Sequence, residues 1–92
     1  MFIEFVGFPK IMRIIIYTQN SCLYCQLAKD EFKKRDWKYT EYNLSDDKNK
    51  VSLLKRLSDA KTVPQIWIDD KHIGGYNELM AYLADDFTHV HP

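Results

Sequence analysis

Ile14-Ile15-Ile16-Tyr17 is an unbroken β-branched and aromatic run, and it leads through Thr18-Gln19-Asn20-Ser21 into Cys22-Leu23-Tyr24-Cys25. A strand without polar alternation is one covered on both faces, so this run belongs in the middle of a sheet with structure packed above and below it. The pattern after it changes period. Tyr24, Leu27 or Ala28, and Phe32 recur at helical spacing. The turn residues up to Ser21 offer an N-cap, and Lys33-Lys34-Arg35 closes the helix with charges that complement its dipole.

A buried strand that feeds a helix commits the chain to α/β layering. Trp37 to Leu44 mixes aromatic, Lys, Thr and Glu residues and reads as a more exposed strand. Ser45 with Asp46-Asp47 opens a second helix whose inner stripe is Val51, Leu54 and Leu57, flanked by Leu53. After Thr62-Val63-Pro64, the strand Gln65-Ile66-Trp67-Ile68 turns at Asp69-Asp70-Lys71 and returns as His72-Ile73, a hairpin. Gly74-Gly75 breaks the backbone, and Asn77 begins a last helix with Leu79, Met80 and Leu83 inside. The order strand, helix, strand, helix, hairpin, helix predicts a mixed four-stranded sheet with helices on both faces.

With 92 residues the chain is one domain. The domain is expected over residues 12–86. Residues 1–11 read as an added segment, either an extra edge strand or a loose arm, because Pro9 interrupts their alternation. Residues 87–92 read as a frayed tail. Thirteen basic and thirteen acidic residues cancel, which gives no electrostatic ground for nucleic acid or an anionic membrane as partner. No stretch is long and apolar enough to span a bilayer. The apolar N-terminus lacks a basic leader and is broken by Glu4, Gly7 and Pro9, so it makes a poor signal peptide.

Both cysteines of the chain lie in the one Cys-x-x-Cys stretch, unlike the dispersed pairs of a secreted disulfide scaffold, and a reducing cytoplasmic setting follows. The pair has three uses: a reversible disulfide, half of a metal site, or two small buried side chains. A zinc site drawing on His72, or His89 and His91, matches no common ligand spacing. The position after a buried strand and at a helix start favours redox use. There Cys22 in the first turn is the attacking sulfur, and Cys25, nearly one turn on, resolves the mixed disulfide. Lowering a thiol from about 8.5 to about 6 takes roughly 3.4 kcal/mol. A helix terminus supplies roughly 0.3 to 1, at best about 2. Hydrogen bonds to the thiolate from turn amides and Cys25 must supply the remainder, with Lys29 too far along the helix to contribute strongly.

Two further stretches could complete a site. A turn before a strand is where a cis X-Pro bond is found, although trans is the commoner form, and a cis Val63-Pro64 would leave the Val63 amide and carbonyl free to pair with an extended cysteinyl peptide. Gly74-Gly75 lets backbone approach a ligand, with the amides of Tyr76 and Asn77 at a helix N-terminus suited to a carboxylate; the plain alternative is a tight turn.

Together, Cys22-Leu23-Tyr24-Cys25, Thr62-Val63-Pro64-Gln65 and Ile73-Gly74-Gly75-Tyr76-Asn77-Glu78-Leu79 resemble a glutaredoxin of the dithiol kind, from about Ile14 to Leu83. The resemblance implies a thioredoxin-like fold, a cis Pro64, and glutathione-dependent reduction of protein disulfides or glutathione mixed disulfides by a monomer. A ribonucleotide reductase is among the implied protein partners. It further implies that Tyr24, Val63, Pro64, Gly75, Tyr76 and Asn77 hold glutathione, with Asn77 at the γ-glutamyl end, Arg56 or Lys61 at the glycine carboxylate, and Gln19 beside the thiolate. The sequence departs from the family pattern at Leu23, where proline is usual, at Gln19, usually basic, and at Asp70, usually glycine. Some members of that family without the proline share a glutathione-ligated [2Fe-2S] cluster between two subunits, which is the alternative function the resemblance implies.

Overall fold

The computed structural model describes residues 12–46, 49–57 and 61–90, with residues 49, 56, 57 and 85–90 described by backbone only. The expectation for residues 1–11 lies outside these. β1 (Ile14–Thr18), β2 (Thr40–Asn43), β3 (Gln65–Ile68) and β4 (Lys71–Gly74) form one sheet in the order β2-β1-β3-β4. β1 pairs parallel with β2 and antiparallel with β3, and β3 with β4 antiparallel. The isoleucine run is therefore central. α1 (Leu23–Lys34), α2 (Asn49–Leu57) and α3 (Tyr76–Val90) are the helices among the described residues.

The two-residue period of the strands divides the core into two layers. Ile14, Ile16, Ile66 and Ile68 point to one face, where they pack with Ala28 and Phe32 of α1 and Leu79 and Leu83 of α3. Tyr17 and Trp67 point to the other and pack with Leu54 of α2, with Ile15, Tyr42, Leu44 and Leu53 around them. The Tyr17 and Trp67 rings meet edge to face at 5.4 Å, a favoured aromatic geometry. The thioredoxin-like α/β fold with helices on both faces is borne out.

Element ends differ from the expectations, each for a local reason. Ser21 is left-handed at φ 58°, so it cannot take the extended conformation of an N-cap. Cys22, at φ −112° and ψ 106°, is the N-cap instead. The buried stripe of α1 is accordingly Cys25, Ala28 and Phe32, while Tyr24 is exposed. α1 closes with Asp36 left-handed at φ 59°. The Trp37 N–H donates to Phe32 O and the Asp36 N–H to Lys33 O, the Schellman pattern with Asp where Gly is usual. The closing turn leaves β2 shorter than expected, with Trp37 and Tyr39 packed on the core before it begins. Ser45 lies in a turn ahead of α2, whose described residues are Asn49–Leu57, and its hydroxyl accepts the Asn20 N–H at 3.0 Å. Asp69 and Asp70, at φ 52° and 67°, form the hairpin turn, and Lys71 already belongs to β4. α3 runs on to Val90 past the expected break at Phe87.

Candidate active site

β1 delivers the chain to the cysteine pair, and the loop between them is fastened to the end of β2. Leu44 N–H donates to Thr18 O at 2.8 Å. The Asn43 amide donates to Asn20 Oδ1 at 3.0 Å, and the Ser45 N–H donates to Asn43 Oδ1 at 2.8 Å. These bonds fix where α1 starts. Cys22 and Cys25 are joined as a disulfide with their Cα atoms 5.2 Å apart. Cys22 is half-buried, whereas Cys25 is only 2% exposed, so one sulfur can be reached from solvent and its partner sits beneath. The Cys25 N–H donates to Cys22 Sγ at 3.1 Å. The turn amide expected from the sequence is thus aimed at the reactive sulfur.

On the β3 side of this pair, the Val63-Pro64 bond is cis, and the Val63 carbonyl oxygen lies 3.9 Å from Cys22 Sγ. Tyr24 and Tyr76 face each other with ring centroids 5.6 Å apart. Between them and the cis proline lies a cleft of about 270 Å³ lined by Tyr24, Thr62, Val63, Pro64, Gly75, Tyr76, Asn77 and Glu78. Gly75 makes the close approach possible: a Cβ there would stand 3.3 Å from Glu78 Oε1 and 3.4 Å from the Pro64 carbonyl. The Gly75 N–H donates to Glu78 Oε1 at 2.9 Å, one half of a capping box that starts α3.

The structure brings Tyr24, Val63, Pro64, Gly75, Tyr76 and Asn77 together in that cleft. Gln19 lies on the β2 side of the disulfide, in a second cleft of about 410 Å³ that it lines together with Cys22, Cys25, Leu23, Gln26, Lys29 and Glu41. Lys61 is exposed and does not line the first cleft. The Arg56 side chain lies outside the described residues. Thr62 and Glu78 line the first cleft without having been singled out; Gly75-x-x-Glu78, a capping-box spacing, was the available signal for Glu78.

The Lys29–Glu41 pair had no signal, because α1 and β2 meet only on folding. Glu41 Oε2 accepts from Lys29 Nζ at 3.1 Å and from the Thr18 hydroxyl at 2.6 Å. Burial pushes the Glu41 carboxyl up, but the Thr18 hydroxyl and the Lys29 ammonium outweigh it and hold the group below its usual 4.5. Lys29 is therefore near the cysteines, yet its charge is matched by Glu41 rather than left free for a thiolate.

A reachable sulfur at a helix N-terminus, a buried partner below it and a cis-proline cleft beside it define a thiol-disulfide oxidoreductase of thioredoxin-like fold. The comparisons narrow the class. The family profile described as Glutaredoxin matches residues 14–73. Glutaredoxin 1 of Rickettsia typhi is 41% identical over 74 residues, covering 78% of this chain and 71% of that protein. Glutaredoxin 3 of Escherichia coli K12 is 36% identical over 66 residues, covering 72% of this chain and 80% of its own. Among solved structures, Glutaredoxin 1 of Francisella tularensis in complex with cacodylate aligns with a TM-score of 0.72 at 33% identity, over 84% of this chain and 98% of that one. The buckwheat glutaredoxin-glutathione complex aligns with a TM-score of 0.72 at 25% identity, over 79% of this chain and 69% of that one. The chain belongs to the glutaredoxin family.

Proposed function

We propose that this protein reduces glutathione mixed disulfides and protein disulfides in the cytoplasm, as a monomer, with glutathione as the electron donor. The observation that carries this reading is the cleft of about 270 Å³ formed by the Tyr24 and Tyr76 rings and the Val63-Pro64 backbone, whose Val63 carbonyl lies 3.9 Å from Cys22 Sγ. Glutathione there pairs its backbone with Val63, packs along the two rings, and sets its γ-glutamyl carboxylate on the Tyr76 and Asn77 amides. Lys61, exposed just before Thr62 of the cleft lining, reaches over it to meet the glycine carboxylate once the ligand is bound. The likeness to the buckwheat complex supports the same ligand.

In the reduced protein the Cys22 thiolate attacks the glutathionyl sulfur of a mixed disulfide. The substrate sulfur leaves and takes up a proton, and glutathione remains bonded to Cys22. A second glutathione attacks that glutathionyl sulfur, which releases glutathione disulfide and restores the Cys22 thiolate. On a protein disulfide, Cys22 forms the mixed disulfide with the substrate and Cys25 attacks Cys22 to release it. The Cys22–Cys25 bond so formed is reopened by two glutathiones in turn, which supply the two electrons. The disulfide that a ribonucleotide reductase forms in turnover is a substrate of this chemistry. The Cys25 amide that donates to Cys22 Sγ serves the thiolate equally. A hydrogen bond to a charged group contributes roughly 1.5–3 kcal/mol, which with the helix terminus spans the roughly 3.4 kcal/mol that an acidic thiol requires.

A glutathione-ligated [2Fe-2S] cluster is the other job open to Cys22. With Cys25 only 2% exposed, the chain offers one reachable thiolate, so the group fits only if a second copy and two glutathiones complete its ligands. Coupled assays test the main reading: NADPH consumption through glutathione reductase and glutathione is expected to support turnover, and turnover through thioredoxin reductase alone would contradict it. Visible absorbance after anaerobic purification would favour the cluster.

A further inference from the structure

Leu23, 67% exposed, and Tyr24, 56% exposed, are the large hydrophobic side chains left in solvent among the described residues, and they flank the reactive disulfide. Exposed apolar groups gathered at a functional site mark a contact surface. The two serve different clefts. Tyr24 lines the one on the β3 side, and Leu23 lines the one on the β2 side. Because β1 lies between β2 and β3, the clefts open on opposite sides of Cys22.

The β2-side cleft has its own chemistry. Leu23, Gln26 and Lys29 form one helical stripe along it, and the amide of Gln19 stands opposite without a hydrogen-bond partner among the described residues. The Gln26 amide nitrogen is turned to Asp30 at 3.0 Å, which leaves its oxygen for another donor. Lys29 and Glu41 neutralise each other at 3.1 Å. An apolar rim, free amide groups and no unmatched charge suit an uncharged stretch of polypeptide.

We propose that this cleft receives the polypeptide half of the substrate, with Leu23 packing on a side chain near the target cysteine and Gln19 and Gln26 bonding its backbone. The inference rests on the glutathione reading of the opposite cleft. Leu23 and Gln26 then select protein substrates without touching the glutathione half.

Two substrates that share the glutathionyl group test this: glutathionylated serum albumin and the mixed disulfide of cysteine and glutathione. Leu23→Ser is expected to raise KM for the albumin about tenfold, the factor for roughly 1.4 kcal/mol of lost apolar contact. Its KM for the small mixed disulfide should stay within about twofold, since the same Cys22 attacks both. Gln26→Ala should act in the same direction by about threefold. Equal KM changes for both substrates, or no change for either, would overturn the proposal. A raised KM for glutathione itself would place a second glutathione in the cleft and overturn it as well. Wild-type protein that turns over neither substrate with glutathione would instead remove the glutathione reading, and this inference with it.

Discussion

At the scale of single residues, the site depends on side chains that do local structural work as well as chemistry. Cys22 caps α1 with its sulfur, accepting the Cys25 N–H. Its replacement by Ser, another good capping residue, therefore removes the nucleophile while preserving the helix start. Glu41 carries a pH-dependent contribution to stability. Its folded carboxyl is held below 4.5 although burial opposes this, because the Thr18 hydroxyl and Lys29 favour the charged form. Glu31 is lowered too, first by its hydrogen bond from Arg35. A carboxylate with a lowered folded value stabilises the fold above its unfolded value and loses that contribution as pH falls through the folded one. Urea midpoints should thus be level at neutral pH and fall below about 4.5. In Glu41→Gln the neutral midpoint should drop and the acid slope become shallower; an unchanged slope would show that Glu41 carries none of it.

At the scale of elements, the least regular backbone sits where the elements meet. Gly74 has φ 118°, and a Cβ there would stand 2.9 Å from Glu78 Cγ. Gly74→Ala should cost roughly 1–3 kcal/mol in chemical denaturation; a loss below about 0.5 kcal/mol would show that the β4–α3 junction gives way easily. Asp36 ends α1 in a left-handed conformation, so Asp36→Gly should be neutral or stabilise by up to about 1 kcal/mol, read by thermal melting. The central strand, the hairpin and all three helices were legible because each carries its own period. Helix ends were less so. Whether Ser21 or Cys22 caps α1 depends on the backbone path of the loop, where Ser21 is left-handed, and the Ser45 hydroxyl is taken by the Asn20 amide across the β1–α1 loop. Of the site, the cysteine pair, Val63-Pro64 and the Gly75-Tyr76-Asn77 turn could be read as three short motifs. The β2-side cleft could not, because Gln19, Gln26 and Glu41 share it only after β1 and β2 pair.

At the scale of the molecule, one sheet supports two layers, and the reactive end projects where β1 leaves it. The layer under α1 and α3 holds the site in place, since Phe32 is wholly buried on the helix that carries Cys22 and Cys25. Phe32→Ala should cost roughly 3–5 kcal/mol, a large part of the 5–15 kcal/mol that holds a typical domain together. A near-normal urea midpoint in that variant would show that α1 is anchored elsewhere. The central claim is the division of labour between the two sulfurs. Its most direct measurement is glutathione-coupled turnover of a glutathione mixed disulfide by Cys22→Ser and Cys25→Ser proteins side by side. The account predicts no activity without Cys22 and retained activity without Cys25; activity that survives loss of Cys22, or vanishes with loss of Cys25 alone, would contradict it.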